Sequence, residues 1–350
     1  MMVSVVVPNR NKGHSLVHCL KALYESAYDN FEVIVVDDAS EDRSVAIAQG
    51  FPCTLISLPV SVGAAAARNI GARRARGHIL FFIDSDCIVQ EDTLAVLMAT
   101  EGIGDPHVIV AGTYTEKPFD QSFFSFFQSV FIHYSETRHD PPDYAATHAL
   151  AMHTERFRRS GGFAQNFLPI LEDVDFSHRM RRLGYRLFLN SELQVRHDFG
   201  YGLRRSLRNG FAKARFWIVY SLRNKDLLAD SGAASRELKV SLFSFVFLVF
   251  SIAAGSFSGI WVWSLATGCL MVNLLTCRRL LSRFVKAGGL WFGIRAGAYF
   301  LFCYPVAAWA GAGQGLLDVV KQRFPFFRNT PASYTGKRAM TSRPLLEARK

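Results

Sequence analysis

The sharpest chemical feature of this 350-residue chain is Asp84-Ser85-Asp86, two carboxylates flanking one residue directly after the apolar run Ile79–Ile83. Carboxylates so spaced at the end of a buried strand suit a hard divalent cation such as Mg²⁺ or Mn²⁺, which also takes phosphate oxygens. The plainer role for such a pair is to cap the helix beginning near Glu91. Asp37-Asp38 follows a second apolar run, Phe31–Val36, and only one of the two need face a ligand. Glu172-Asp173 opens a helical stretch ending Arg-Met-Arg-Arg-Leu, where acid suits the helix dipole. Two acidic residues side by side exceed what a cap requires, whereas Asp175 reads as helix surface. Arg10 lies in Pro8-Asn9-Arg10-Asn11 after the first apolar run, and Arg68 sits one turn into the segment following Gly63. His197 ends a predicted strand, Glu192–Arg196.

These residues need elements to gather them. Val3–Val7, Phe31–Val36, Thr54–Leu58 and Ile79–Ile83 read as strands, separated by helical segments His14–Ser26, a short one to Gln49, and Ala64–Arg76. Strands this apolar, alternating with helices, predict a parallel sheet covered on both faces. Ligands of such sheets bind beyond the carboxyl ends of the strands. Pro8–Asn11, Asp37-Asp38 and Asp84–Asp86 all project at that edge. Neither G-x-G-x-x-G nor G-x-x-x-x-G-K-[ST] is present, which disfavours a Rossmann dinucleotide or P-loop site.

Four linked stretches, Val3-Ser-Val-Val-Val-Pro-Asn-Arg-Asn, Val33-Ile-Val-Val-Asp-Asp-Ala-Ser-Glu-Asp, Gly63-Ala-Ala-Ala-Ala-Arg68-Asn69 and Phe81-Phe-Ile-Asp-Ser-Asp, resemble glycosyltransferase family 2. The similarity continues through Gly161-Gly162-Phe163, Leu171-Glu-Asp-Val-Asp175 and Arg182-Leu-Gly-Tyr, so it covers roughly residues 2–200. The resemblance implies a GT-A fold, Rossmann-like with a mostly parallel sheet and helices on both faces. It implies an inverting transferase that takes a sugar from a nucleotide-diphosphate donor, a UDP-sugar favoured, with Mn²⁺ or Mg²⁺. By family position Pro8, Arg10, Asp37 or Asp38 line the nucleoside pocket, Arg68 approaches the base or diphosphate, and Asp84 and Asp86 sit at ribose and metal. A histidine at the place of His197 completes the metal site in some relatives. Inversion also requires a base opposite the leaving group, and Asp173 or Glu172 would supply it.

Charge is unevenly spread. Residues 1–178 carry 13 Lys/Arg against 22 Asp/Glu, residues 179–239 carry 14 against 5, and residues 240–350 carry 13 against 2. A uniformly basic nucleic-acid binder is therefore not expected. Six scattered cysteines without C-x-x-C give no zinc site or disulfide framework, and the opening run, stopped at Pro8, is too short for an export signal.

The 37 residues Val240–Thr276 carry no charge, too long for one span and suited to a hairpin turning at Gly255–Gly259. The basic stretch Arg278–Lys286 then belongs on the cytosolic side, with the front half. A third run, Leu290–Leu317, is interrupted by Arg295, Gly297 and Pro305, and reads equally as a span or as a re-entrant or in-plane segment. The expected organisation is a catalytic domain over 1–200, a basic amphipathic collar over 201–239, transmembrane helices within 240–320 and a basic tail over 321–350. The collar alternates Arg204, Arg205, Arg208, Lys213 and Arg215 with Leu203, Leu207, Phe211, Phe216 and Trp217, as an interfacial helix would, its aromatic face toward acyl chains. Phe119–Tyr134, with six phenylalanines, suits either an acceptor or membrane-facing surface or plain core.

The expected protein is a multi-pass membrane enzyme with a cytoplasmic catalytic domain, making single additions to a lipid-linked or cell-envelope glycan acceptor. Processive relatives carry Q-x-x-R-W, and Ala212-Lys-Ala-Arg215-Phe216-Trp217 departs from it. A processive polysaccharide synthase and a catalytically inactive nucleotide-binding membrane scaffold are the competing readings. The intact carboxylates argue against the second.

Overall fold

The computed structural model describes residues 1–165, 168–254, 260–321 and 323. The expected turn at 255–259 and nearly all of the basic tail lie outside the described residues. Eight strands form one sheet: β1 Val3–Asn9, β2 Phe31–Asp37, β3 Thr54–Ser57, β4 Ile79–Phe82, β5 Cys87–Val89, β6 Val108–Tyr114, β7 Leu150–His153 and β8 Arg186–His197. Their order is β3-β2-β1-β4-β7-β6-β8-β5. The first four pair in parallel, as expected, and β6 is parallel to β8. Six of the eight strands run in one direction, so the sheet is mostly parallel as expected, but it is mixed, because β7 runs antiparallel to both β4 and β6, and β5 antiparallel to β8. An apolar run buried on both faces looks the same in either direction, so its residues do not reveal which way it runs.

Eleven α-helices accompany the sheet among the described residues: α1 Gly13–Tyr24, α2 Ser44–Gln49, α3 Ala64–Arg74, α4 Thr93–Ala99, α5 Phe123–Thr137, α6 Thr154–Arg159, α7 Glu172–Arg182, α8 Leu203–Asn224, α9 Arg236–Ala254, α10 Ile260–Ala298 and α11 Tyr304–Val320. Alternation along the strands fixes which helix covers which face. Val3, Val5 and Val7 of β1 join Val33, Val35, Ile79 and Phe81 beneath Leu16, Cys19, Leu20 and Leu23 of α1. Val6, Ile34, Val36, Leu80 and Phe82 point the other way, toward Ala67 and Ala72 of α3, Phe157 of α6 and Phe176 of α7.

The back of the chain is not a separable anchor. The second half of α10 and the start of α11 place Leu280, Phe284, Tyr299, Phe300, Tyr304 and Ala308 in the same buried cluster as Phe127 and Phe131 of α5. The phenylalanine-rich segment is therefore core. Each fully buried side chain of this size contributes about 1.5–3 kcal/mol. Helix α11 lies along α8 closely enough that a Cβ on Gly311 would stand 2.2 Å from the Phe211 carbonyl oxygen. Arg215 Nε of α8 donates to buried Asp318 Oδ2 of α11 at 2.5 Å.

The third apolar run packs beside the collar helix, follows a break in α10 at Gly289, whose φ is +83°, and loosens over Tyr299–Cys303 into a π-helical turn. One expectation changes. Phe216 and Trp217 face inward, joining Leu168, Leu171 and Val174 in a small core beside α7, so the aromatic face assigned to acyl chains is inside the protein. Their spacing is the same for either partner, protein or lipid.

By length and composition, one helical run, Trp261–Val320, is long and apolar enough to cross a membrane. Helix α9 and the first half of α10 pair as an antiparallel hairpin. Ser244 Oγ donates to the Cys269 carbonyl at 3.3 Å and Cys277 Sγ to the Glu237 carbonyl at 3.7 Å. Phe243, Phe247, Phe250, Trp261, Met271 and Leu275 are exposed on it.

Candidate active site

The strand ends deliver their polar residues to one edge in three groups. In the first, the loop after β2 closes on the loop before α3. Asp38 accepts from Ser61 Oγ at 2.8 Å and from the backbone N–H of Val62 and Gly63 at 2.6 and 3.0 Å. Arg10 donates to the same Ser61 Oγ at 2.6 Å. Asp37 is tied to Asn9 Nδ2 at 2.9 Å and to the Ser40 N–H at 3.0 Å, which holds the loops after β1 and β2 together. Of the acidic pair, Asp38 faces the crevice wall and Asp37 is the internal tie. Pro8 lies within β1, paired with Val36.

The second group is centred on Arg68, whose side chain is only 5% exposed. Its Nη2 donates to Asp84 Oδ1 and its Nη1 to Glu172 Oε1, both at 2.6 Å. Burial works against the guanidinium charge, and the two carboxylates overcome it and hold its pKa up. One planar fork thus joins the end of β4 to the start of α7, a geometry that lysine cannot reproduce. The neighbouring Asn69 fixes Phe163 through both backbone groups, at 2.8 and 2.9 Å. Gly162, at φ +69°, is required there because a Cβ would meet Asn69 Oδ1 at 2.4 Å.

Helix α7 begins after Leu171, held at φ +76°, a left-handed conformation that a bulky residue adopts only under constraint. The turn presents Glu172 to Arg68 and leaves Asp173 beside it. Among the described residues, the hydrogen bond of Asp173 Oδ1 is from the N–H of Val174, at 2.8 Å. Burial first, and the Glu172 carboxylate second, push the Asp173 pKa up to about 7, with Arg68 opposing. Asp173 interacts electrostatically with His148 and Lys213, which in turn interact with Glu136. Glu136 Oε2 accepts from Thr113 Oγ1 at 2.8 Å and lies 3.4 Å from His148 Nε2. Burial lowers the Lys213 pKa, with Glu136 and Asp173 opposing.

The third group surrounds Asp86. Lys12 Nζ donates to its Oδ2 at 2.7 Å, and His197 Nε2 is 3.4 Å from its Oδ1. Ligand atoms of Asp86, Cys87 and His197 all lie within 4.8 Å of one another. Burial lowers the His197 pKa, which favours the neutral ring that ligates, and against burial the Lys12 ammonium holds the Asp86 carboxyl low. The ring is positioned by stacking on Phe199 at 3.9 Å and by the edge of Tyr114 at 5.1 Å, while its buried Nδ1 has no hydrogen-bond partner among the described residues. Cys87 is buried and its thiol pKa raised, so it stays protonated and unsuited to a hard cation. One carboxylate and one imidazole, open toward the crevice, fit an oxygen-seeking divalent ion that completes its shell with phosphate and water. Asp84 is held by Arg68 through Oδ1, so the two carboxylates of the D-x-D pair have different partners.

Sequence reasoning did not single out Lys12, Glu136 or His148, and it placed Lys213 in a membrane-facing collar. Lys12 leaves the same strand as Arg10 and could have been found there. Glu136 and His148 come from a helix and a 3₁₀ turn that carry no motif.

Residues 4–174 match the family model described as Glycosyl transferase family 2. An uncharacterized glycosyltransferase of Haemophilus influenzae is 39% identical over 102 residues, covering 29% of this chain and 35% of that protein. Glycosyltransferase AglE of Haloferax volcanii is 28% identical over 242 residues, covering 65% of this chain and 78% of that protein. The match thus spans about a third of the first relative's length. Among solved structures, the mannosyltransferase PcManGT from Pyrobaculum calidifontis, in complex with GDP-Man and Mn²⁺, aligns with a TM-score of 0.53 at 19% identity, covering 90% of this chain and 87% of that chain. That likeness is one of fold.

Proposed function

We infer that this chain, whose residues 4–174 form a glycosyl transferase family 2 domain of GT-A fold, is an inverting, single-addition glycosyltransferase using a nucleotide-diphosphate sugar. The observation that carries the mechanism is the division of labour imposed by Arg68. It engages Glu172 and Asp84 and leaves Asp173 with a pKa near 7, as a general base requires. Asp173 takes the proton of the acceptor hydroxyl as that oxygen attacks the anomeric carbon, and the nucleoside diphosphate departs from the opposite face. Arg10 and Asp38 line the nucleoside side of the crevice. Asp86 and His197 would hold a divalent cation, which supplies positive charge for the leaving diphosphate when bound.

A thermal-shift screen of UDP-, GDP-, CDP- and ADP-sugars with Mn²⁺ or Mg²⁺ tests the reading, since a bound donor stabilises by mass action. A metal-dependent shift with one nucleotide class is expected. No shift with any donor would defeat the assignment. Asp86→Ala should abolish the metal-dependent part of donor binding and lower turnover by about 10²-fold or more, with the fold intact because part-exposed Lys12 is left to solvent. Turnover with unchanged metal dependence would remove Asp86 from the cation site.

The hairpin of α9 and α10 inserts in the membrane from the cytosolic side, with α8 and α11 along the interface, and the acceptor is a lipid-linked or envelope glycan. The exposed aromatic and aliphatic surface of the hairpin supports this placement. Carbonate extraction should leave the full chain in the membrane pellet, while replacing Phe247, Phe250, Met271 and Val272 with serine should release it. Release of the unaltered chain by carbonate or salt would show that the hairpin lies on the bilayer, not in it.

A further inference from the structure

We propose that a basic pocket at the foot of the hairpin binds the phosphate headgroup of an anionic membrane phospholipid. The pocket, about 300 Å³, lies where α5, α9 and α10 meet, and none of its lining residues belongs to the candidate active site. Its floor is a closed set of ion pairs. Buried Arg138 spans Asp230 Oδ1 at 2.5 Å and Glu237 Oε2 at 2.7 Å, and Tyr134 donates to Glu237 Oε1 at 2.8 Å. Both carboxylates are thereby occupied.

The rim carries three further guanidinium groups, Arg236, Arg278 and Arg279, all exposed and none with an ion-pair partner among the described residues. One guanidinium against two carboxylates leaves the floor one charge negative, and the three unpartnered cations of the rim outweigh it, so the pocket as a whole is positive and selects an anion with several acceptor oxygens at the rim. The same rim includes Leu275, 65% exposed, the end of the apolar stretch of α10. Charge begins at one level on both helices, at Arg236–Lys239 on α9 and at Arg278 on α10, because the antiparallel register sets Cys277 against Glu237. A ligand with an anionic head here and its apolar body along Leu275 and Met271 has the shape of a phospholipid at the boundary between headgroup and acyl chain. A free phosphate or nucleotide would leave the apolar half uncovered. Tyr134 and Arg138 line this pocket, whereas Glu136, between them on α5, turns the other way to Thr113 and His148.

The site uses the membrane placement inferred above, but its test does not depend on insertion. Full-length protein in nonionic micelles is titrated with dioleoylphosphatidylglycerol, dioleoylphosphatidylcholine or inorganic phosphate, and thermal unfolding and retained lipid by native mass spectrometry are read. Phosphatidylglycerol should raise the melting temperature by several degrees and be retained, with little effect from the other two. Arg278→Gln/Arg279→Gln should weaken that response on the order of thirty-fold, from about 1 kcal/mol per removed charge, without altering the lipid-free melting temperature. Arg204→Gln/Arg208→Gln on α8 should leave it unchanged. Equal responses to phosphatidylcholine and phosphatidylglycerol, or an unaffected Arg278/Arg279 double variant, would overturn the site. A response to inorganic phosphate matching that to the lipid would overturn the lipid assignment. Loss in the α8 variant instead would move binding to the collar.

Discussion

Asp173→Asn is expected to cut sugar transfer by about 10²–10⁴-fold while leaving nucleotide-sugar binding intact, the span typical of losing a general base. The amide keeps the side chain's size and can still accept the Val174 N–H, so the left-handed turn at Leu171 and the start of α7 should survive. It cannot accept the hydroxyl proton. The wild-type pH profile should carry the same signature. With its pKa near 7, Asp173 is largely protonated at pH 6 and ionised at pH 8, so transfer should rise across that interval in the wild type. The residual activity of the variant should not follow that rise.

Stability should move the other way. A carboxyl whose folded pKa is raised binds more protons folded than unfolded, so wild-type stability falls as pH climbs from the ordinary carboxylate range through 7. The asparagine variant escapes that loss and should be the more stable protein at pH 8, with the advantage vanishing at low pH. Initial rates and melting curves at pH 6, 7 and 8 check both. Transfer by Asp173→Asn within a few-fold of wild type, with Glu172→Gln inactive, would hand the role to Glu172.

The second large effect is at Arg68. Arg68→Met should destabilise by about 3–5 kcal/mol near neutral pH, because it leaves Asp84 and Glu172 without their shared cation in a poorly solvated place. Arg68→Lys should recover only part of this, since one ammonium cannot meet both carboxylates with in-plane bonds. Thermal unfolding of the detergent-solubilised protein at pH 5 and 8 provides the check. The methionine variant should lose more at pH 8, where both orphaned carboxylates are ionised. Equal melting temperatures for wild type and Arg68→Met would mean that the bridge contributes nothing, and the argument that it reserves Glu172 would fall with it.

The first half of the sheet was legible in the residues because β-branched runs are interrupted by helix-length segments, and each run ends on a polar residue at the same edge. Asp38, Asp84, Asp86 and Arg68 were placed at or near that edge by this pattern, whereas His197, at the end of β8, was reached only through the family resemblance. Which carboxylate Arg68 would take was not legible. That depends on the turn at Leu171, a backbone conformation unsupported by residue type. The direction of β7 and β5 and the docking of α11 on α8 were hidden for a related reason. Apolar spacing reports that a face is buried, and not by what.

The small residues of α11 have a consequence for anyone wishing to fit this protein with a different C-terminal segment. Gly311 and Gly315 lie so near the backbone of α8 that one added methyl would wedge the pair apart. A foreign anchor joined after residue 239 would therefore uncover Phe127, Phe131 and the collar helix together. A graft that keeps the catalytic framework must instead enter after Leu242 and leave before Cys277, exchanging only the exposed loop of two helices. In design terms the exposed helical pair is an insertion between two parts of one body, and residues 243–276 are the portable piece.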